Sequence, residues 1–290
     1  MALDCRMSVA VAALLSLTAC DALSGHDHDH DHDHADEAFI AADEPLGVMT
    51  SLPLLWPLDA SVDDIASGNA PMPWVGAQME QRFNLVALDS LSPAAEGEGA
   101  SEPLADLSKL AIIQPRSLSA QDNVALDKWV RGGGDLLLVL DPALSGHYEV
   151  PIGDPRHPPA TALIPPVVAR WGLAVQFDDT QSEKGGELSL PTGDVPLYLA
   201  GQIVASPEGD AKSKGDCTID PSGVLAVCSV GKGRVTLLAD ADVFEHSDDH
   251  EGGDEGGHDH DHDHDHDHSA EGGKGALFAL LDHAFAADKD

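Results

Sequence analysis

Apolar residues come along this chain in short runs broken by Gly, Pro and acidic stretches, and the spacing inside each run predicts its element. LGVMTSLPLLW (46–56) reads as a buried strand running into a proline-containing loop, and FNLVALDSL (83–91) as a second short strand. KLAIIQPR (109–116) is a third; its unbroken apolar run 110–113 suits a core parallel strand better than an edge. A helix follows. Ser119 can cap it with Asp122 three residues on, Ala125, Leu126, Trp129 and Val130 fall at helical spacing, and Arg131 precedes a stop at Gly132, Gly133 and Gly134. DLLLVLDP (135–142) is the next strand, so the order is that of a right-handed βαβ unit. ALIPPVVARWGLAVQF (162–177) adds a helix and a strand broken at Gly172, and 224–245 reads as a hairpin about Gly231, Lys232 and Gly233. GALFALLDHAFAA (275–287) is a final amphipathic helix. The pattern predicts an α/β domain over 45–290, with a mainly parallel sheet flanked by helices, a β-rich insertion around 186–230 and a disordered insertion at 246–274. Residues 20–44 are too polar to build a core and are expected to form a disordered linker.

The N-terminus sets the expected compartment. Residues 7–19, MSVAVAALLSLTA, are too short to span a bilayer but suit the core of a signal peptide, 1–19. The run ends Leu17, Thr18, Ala19, Cys20, which resembles the bacterial lipobox, and that resemblance implies acylation of Cys20. The rival is an ordinary secreted protein cut near Ala19. Arg6 is the one basic residue before the run, it is offset by Asp4, and a start at Met7 would remove both. Asp21 resembles the signal that retains enterobacterial lipoproteins at the inner membrane, so the expected place is the periplasmic face of that membrane, with the outer membrane as alternative. No other run is long enough to cross a bilayer.

Of four cysteines, Cys5 lies in the leader and Cys20 is the acylation site, leaving Cys217 and Cys228. With a turn on Ser222 and Gly223, strand positions pair when their numbers sum to 445, and the two cysteines face each other. A disulfide is expected in an oxidising compartment; two free thiols or a metal pair are the alternatives.

Charge then narrows the partners. The formal net charge is -36, from 51 acidic against 15 basic residues, so nucleic acid and anionic membrane surfaces are repelled and cations are natural ligands. Eleven of the sixteen histidines stand in two alternating His-Asp tracts: His26, His28, His30, His32 and His34, then His258, His260, His262, His264, His266 and His268. Neutral imidazole suits Zn²⁺, Ni²⁺ and Cu²⁺, and carboxylate adds hard oxygen and charge. A period of two gives a helix no single face, so the tracts are expected to wrap divalent metal loosely, Zn²⁺ first with Ni²⁺ or Cu²⁺ as alternatives. That arrangement suits a buffer or an antenna better than a catalytic centre, which needs fixed ligands and an open position.

The stretches GVMTSLPLLW, LAIIQPRSLSAQDNVALDKWVRGGGDLLLVLDP, PIGDPRHPP, ARWGL and VGKGRVTLLADADVFE together are similar to the auxiliary extracytoplasmic domain of gliding-motility-type ABC transporters. The resemblance covers about 45–245 and the last helix. It implies a class I glutamine amidotransferase-like, or flavodoxin-like, fold, no catalysis, and permease and ATPase subunits as partners. The His-Asp tracts and the absence of a spanning helix depart from that pattern, and the lipid would replace the helix. An amidotransferase-like enzyme needs a nucleophile at a sharp strand-to-helix turn, but the turns here read Gln114, Pro115, Arg116 and Asp141, Pro142, Ala143. Asp141, Asp154, Asp240 and Asp242 lie near predicted strand ends, where open α/β sheets bind ligands, and Arg156 and His157 could join them. The same residues also read as caps and turns in a very acidic chain, with a contact between Asp154 and Arg156. The expected function is a lipid-anchored, non-catalytic accessory subunit of an ABC transport system. The alternatives are a free-standing metal buffer or chaperone and a hydrolase at the sheet edge.

Overall fold

The computed structural model describes residues 43–93, 102–181, 185–207, 213–245 and 269–286. The expected leader, Cys20, most of the linker and both His-Asp tracts lie outside the described residues. In chain order the elements are β1 (Pro45–Thr50), α1 (Val62–Ser67), α2 (Trp74–Met79), β2 (Asn84–Ala87), β3 (Lys109–Ile113), α3 (Ala120–Gly132), β4 (Asp135–Val139), α4 (Pro166–Trp171) and β5 (Leu173–Gln176). There follow β6 (Gly186–Leu190), β7 (Gly193–Leu197), β8 (Gln202–Ala205), β9 (Asp216–Ile219), β10 (Leu225–Val230), β11 (Gly233–Leu238), α5 (Asp242–Glu245) and α6 (Ser269–Phe285).

Seven strands form one sheet in the order β2-β1-β3-β4-β11-β10-β9. The first five run parallel, and β10 and β9 close the edge as antiparallel strands. The fold is therefore α/β with a mainly parallel sheet, as the apolar runs predict. Successive side chains of a strand point to opposite faces, so both faces of the central strands must be covered. Leu110, Ile112, Leu136 and Leu138 face α3 and α4, against Leu126, Val130, Val168 and Trp171. Ala111, Ile113, Leu137 and Val139 face α6, against Leu277, Leu280, Leu281 and Ala284. Each fully buried Leu or Ile contributes about 1.5–3 kcal/mol.

The connection from β3 to β4 forms as its sequence predicts. Ser119 Oγ accepts from the Asp122 N–H at 3.0 Å, and Asp122 Oδ2 accepts from the Ser119 N–H at 3.1 Å, a reciprocal capping box. Gly133 ends the helix at φ 122°, a conformation that disfavours any side chain. Asp127 then ties α3 to α4, accepting from Arg131 Nε (3.0 Å), Arg170 Nε (3.0 Å) and Trp171 Nε1 (2.9 Å).

Three features depart from expectation. The β-rich stretch 186–230 is not one insertion: β6 pairs with β7, β8 pairs with β5 outside the main sheet, and β9 and β10 belong to the main sheet. Leu225, Ala226, Cys228 and Val230 of β10 are buried, and that burial comes from its place between β11 and β9. Helix α6 starts at Ser269, inside the stretch read as a disordered insertion. Helices α1 and α2 occupy a stretch, 57–82, to which the apolar spacing assigns no element.

The hairpin register is the expected one: Cys228 stands opposite Cys217, and the disulfide is formed. With a sequence separation of 11, the chain-entropy model assigns it about 2–3 kcal/mol. Reduction by dithiothreitol, with loss of the bond confirmed by thiol titration, should lower the urea-unfolding free energy by that amount. An unchanged value would show that the paired strands alone hold this edge.

Candidate functional site

The C-terminal ends of β3, β4 and β11 form the edge where an open α/β sheet places a ligand. At the end of β3 the chain turns on Gln114, a non-glycine residue at φ 43°. Such a conformation costs about 1–3 kcal/mol and persists where its surroundings hold it. The hold is complete. Gln114 Nε2 donates to Asp141 O and to Pro159 O, each at 3.0 Å, and Gln114 Oε1 accepts from the Asp141 N–H at 2.9 Å. Its N–H reaches Val139 O at 2.9 Å, and its own carbonyl accepts from Ser51 Oγ. The side chain is fully buried. This is one of the two turns considered for a nucleophile from the sequence, and its Gln114 carries an amide spent on main-chain bonds.

Leu238 of β11 and Val139 of β4 are register partners, so Asp240 and Asp141 each lie two residues past that pair, side by side. Asp141 Oδ1 accepts from the Ala143 N–H (2.7 Å) and Oδ2 from the Ala241 N–H (3.0 Å). Asp240 Oδ1 accepts from the Asp242 N–H (2.8 Å) and Oδ2 from the Tyr198 N–H (2.9 Å). Both residues are 1% exposed. Burial, which disfavours the ionised form, and the charges of neighbouring carboxylates push Asp141 up to about 6 and Asp240 up to about 8; the main-chain donors offset this only in part. Two strand ends, the start of α5 and the segment after β7 are thus tied together by carboxylates that face inward.

Glu245, at the end of α5, closes the loop that follows β4. Its carboxylate accepts from the Ser145 N–H (3.2 Å), the Gly146 N–H (2.9 Å) and Tyr148 Oη. Burial and the Glu245 charge hold the Tyr148 phenol well above its ordinary pKa, so it stays protonated as the donor. Nothing local in the sequence signals this contact between residues 97 apart.

The remaining predicted residues lie on the outer side of this edge. Arg156 Nε and Nη2 donate to Asp154 Oδ1 (3.0 Å) and Oδ2 (2.9 Å), the turn contact that the sequence allowed. Those bonds hold the Asp154 carboxyl down to about 2. Asp242 begins α5. His157 bonds Pro158 O through Nδ1 at 2.7 Å and lays its ring against Tyr148. Among the described residues no three His, Cys, Asp or Glu side chains converge to hold a metal ion, and no described helix is long and apolar enough to cross a membrane. A cavity of about 1060 Å³ beside α3 shares no lining residue with this edge; Pro93 and Glu102, which line it, flank the stretch 94–101 outside the described residues.

No family model and no curated protein matches the chain. Among solved structures, an exo-β-1,4-mannosidase from Opitutaceae bacterium strain TAV5 is 15% identical over 70% of this chain and 32% of its own, with a TM-score of 0.35. The chain spans about a third of that protein's length. A ThuA-like protein from Bacteroides uniformis is 11% identical over 69% of this chain and 83% of its own, with a TM-score of 0.32. A cytoplasmic protein from Salmonella typhimurium LT2 is 10% identical over 68% of this chain and 87% of its own, with a TM-score of 0.34. The fold is accordingly described by its own strand order and register.

Proposed function

We propose that this chain is a non-catalytic, lipid-anchored accessory subunit of an ABC transport system on the periplasmic face of the inner membrane, whose two His-Asp tracts gather divalent metal for it. The observation that carries the non-catalytic reading is Gln114: the strained turn suited to a nucleophile holds a buried amide bonded to its neighbours' main chain. The disulfide between Cys217 and Cys228 supports an oxidising compartment, as an anchor at Cys20 requires. The donor set of the tracts, imidazole alternating with carboxylate, fits Zn²⁺, Ni²⁺ or Cu²⁺ and supports the metal-gathering role.

The test is metal titration of the mature chain at about pH 7, as wild type and as a form lacking 26–34 and 258–268. Wild type should take up several equivalents, deletion should abolish uptake, and metal should leave the melting temperature unchanged. Below about pH 6 the imidazoles protonate and the bound metal should be released. One equivalent that survives deletion and raises the melting temperature would place an ordered site in the folded domain instead. Co-purification with a permease and ATPase in detergent tests the transport half of the reading, and its absence with metal uptake intact leaves a free-standing metal buffer.

A further inference from the structure

The stretch 59–72 contains no buried residue, yet it includes α1. A helix this short is not stable by propensity, and none of its residues is buried in the core. Its order is local. Ser61 Oγ accepts from the Asp64 N–H at 3.1 Å, and Gly68 at φ 70° closes the other end. Three large apolar side chains of α1 and of two loops stand exposed: Trp56 is 43% exposed, Val62 81% and Ile152 94%. Arg156 joins the two loops that carry these side chains, because its Nη1 donates to Leu58 O at 2.8 Å while its other nitrogens hold Asp154. The charge of Asp59 acts on the same guanidinium, which places that carboxylate beside the clip. Asp63 and Asp64 stand exposed on α1. Apolar side chains beside unburied carboxylates, on a preformed ridge, make a surface fit for protein recognition.

Charge selects the occupant. A second copy of a chain carrying -36, or an anionic bilayer, would be repelled. We infer that the ridge formed by 56–72 and the 150–157 loop is a docking surface for a protein partner that presents Lys or Arg beside apolar side chains. Trp56 and Ile152 are the anchors, and Asp59, Asp63 and Asp64 are the steering charges. The inference deepens the accessory-subunit reading and rests on it for the existence of a partner.

The probe is a twelve-residue peptide of Lys with Leu at helical spacing, and its control has Ser in place of Leu. Both are added to the full mature chain with chelator present, and followed by fluorescence anisotropy and hydrogen exchange. The Leu peptide should protect 56–72 and 150–157 and bind about ten-fold tighter than the Ser peptide. Trp56→Ser with Ile152→Ser should remove that advantage, and Ile152→Ser alone, at a side chain 94% exposed, should reduce it without moving the melting temperature. Asp59→Asn with Asp63→Asn and Asp64→Asn should weaken both peptides. Equal binding of the two peptides, protection elsewhere, or an undiminished advantage in the Trp56→Ser, Ile152→Ser variant would overturn the inference. So would protection of the same residues by phosphatidylglycerol vesicles. Failure to co-purify with a permease, with this peptide preference intact, would count against the transport reading alone.

Discussion

Asp122→Ala should cost about 3–5 kcal/mol of unfolding free energy, because one carboxylate holds together two pieces of chain. Its Oδ2 accepts from the Ser119 N–H (3.1 Å) and Ser119 Oγ (2.6 Å), which is half of the capping box of α3. Its Oδ1 accepts from Ser90 Oγ (3.0 Å) and from the Leu91 and Ser92 N–H groups (2.9 Å each), which fixes the segment that follows β2. Leu91 is 1% exposed, so its orphaned N–H would have no water to turn to. Burial alone would raise the Asp122 pKa, but the bonds from Ser119, Leu91 and Ser92 outweigh it and hold the carboxyl well below its ordinary range. For a carboxyl depressed in the folded state, the contribution is present above the unfolded value near 3.8 and is lost as pH falls towards the folded one. Asp122→Asn should recover less than half of the loss, since its NH₂ cannot accept from either cluster. Urea unfolding of the three proteins at about pH 7 decides it; a loss in Asp122→Ala below about 1 kcal/mol would mean that water replaces these bonds.

How much of this was legible in the chain depends on the range of the interaction. Helix α3 is written locally: Ser119 and Asp122 at its start, Leu126 and Val130 on one face, glycine at its end. The pairing of Cys217 with Cys228 follows from one turn, because register propagates along a hairpin. The place of β11 between β4 and β10 does not follow from any window, since it depends on Val235 finding Leu136. For that reason β10 and β9 read as part of an insertion rather than as the edge of the main sheet. Helix α1 shows the opposite failure: its caps, Ser61 and Gly68, stand in the sequence, but with no apolar period behind them they predict no element. At the sheet edge, Asp141 and Asp240 were readable as strand-end carboxylates. That they face inward was not, because the N–H of Tyr198 that turns Asp240 inward comes from 42 residues away.

That inward turn makes stability fall as pH rises, contrary to what the paired surface acids of this chain do. A carboxyl whose folded pKa is raised contributes in full below its unfolded value and loses that contribution as pH climbs through the folded one. With Asp141 at about 6 and Asp240 at about 8 against an ordinary 3.8, the window is pH 4 to 8. Between pH 5 and 9 the loss should be roughly 3–5 kcal/mol. His283 acts in the other sense, because burial and then the Arg234 charge lower its pKa; its cost appears as pH falls below about 6.5. The comparison is therefore the difference between wild type and Asp240→Asn, which removes one titration and leaves His283 in place. At pH 5 the variant should be less stable by about 1–3 kcal/mol, since one of the two N–H groups on Asp240 loses its acceptor. By pH 9 the gap should close or reverse, because only wild type then carries two charged carboxylates side by side. A gap that stays constant from pH 5 to 9 in metal-free urea titrations would show that Asp240 is ionised throughout. The direction matters for the proposed role: acidification that strips metal from the His-Asp tracts leaves the sheet edge at its tightest, so metal release need not loosen the domain that carries them.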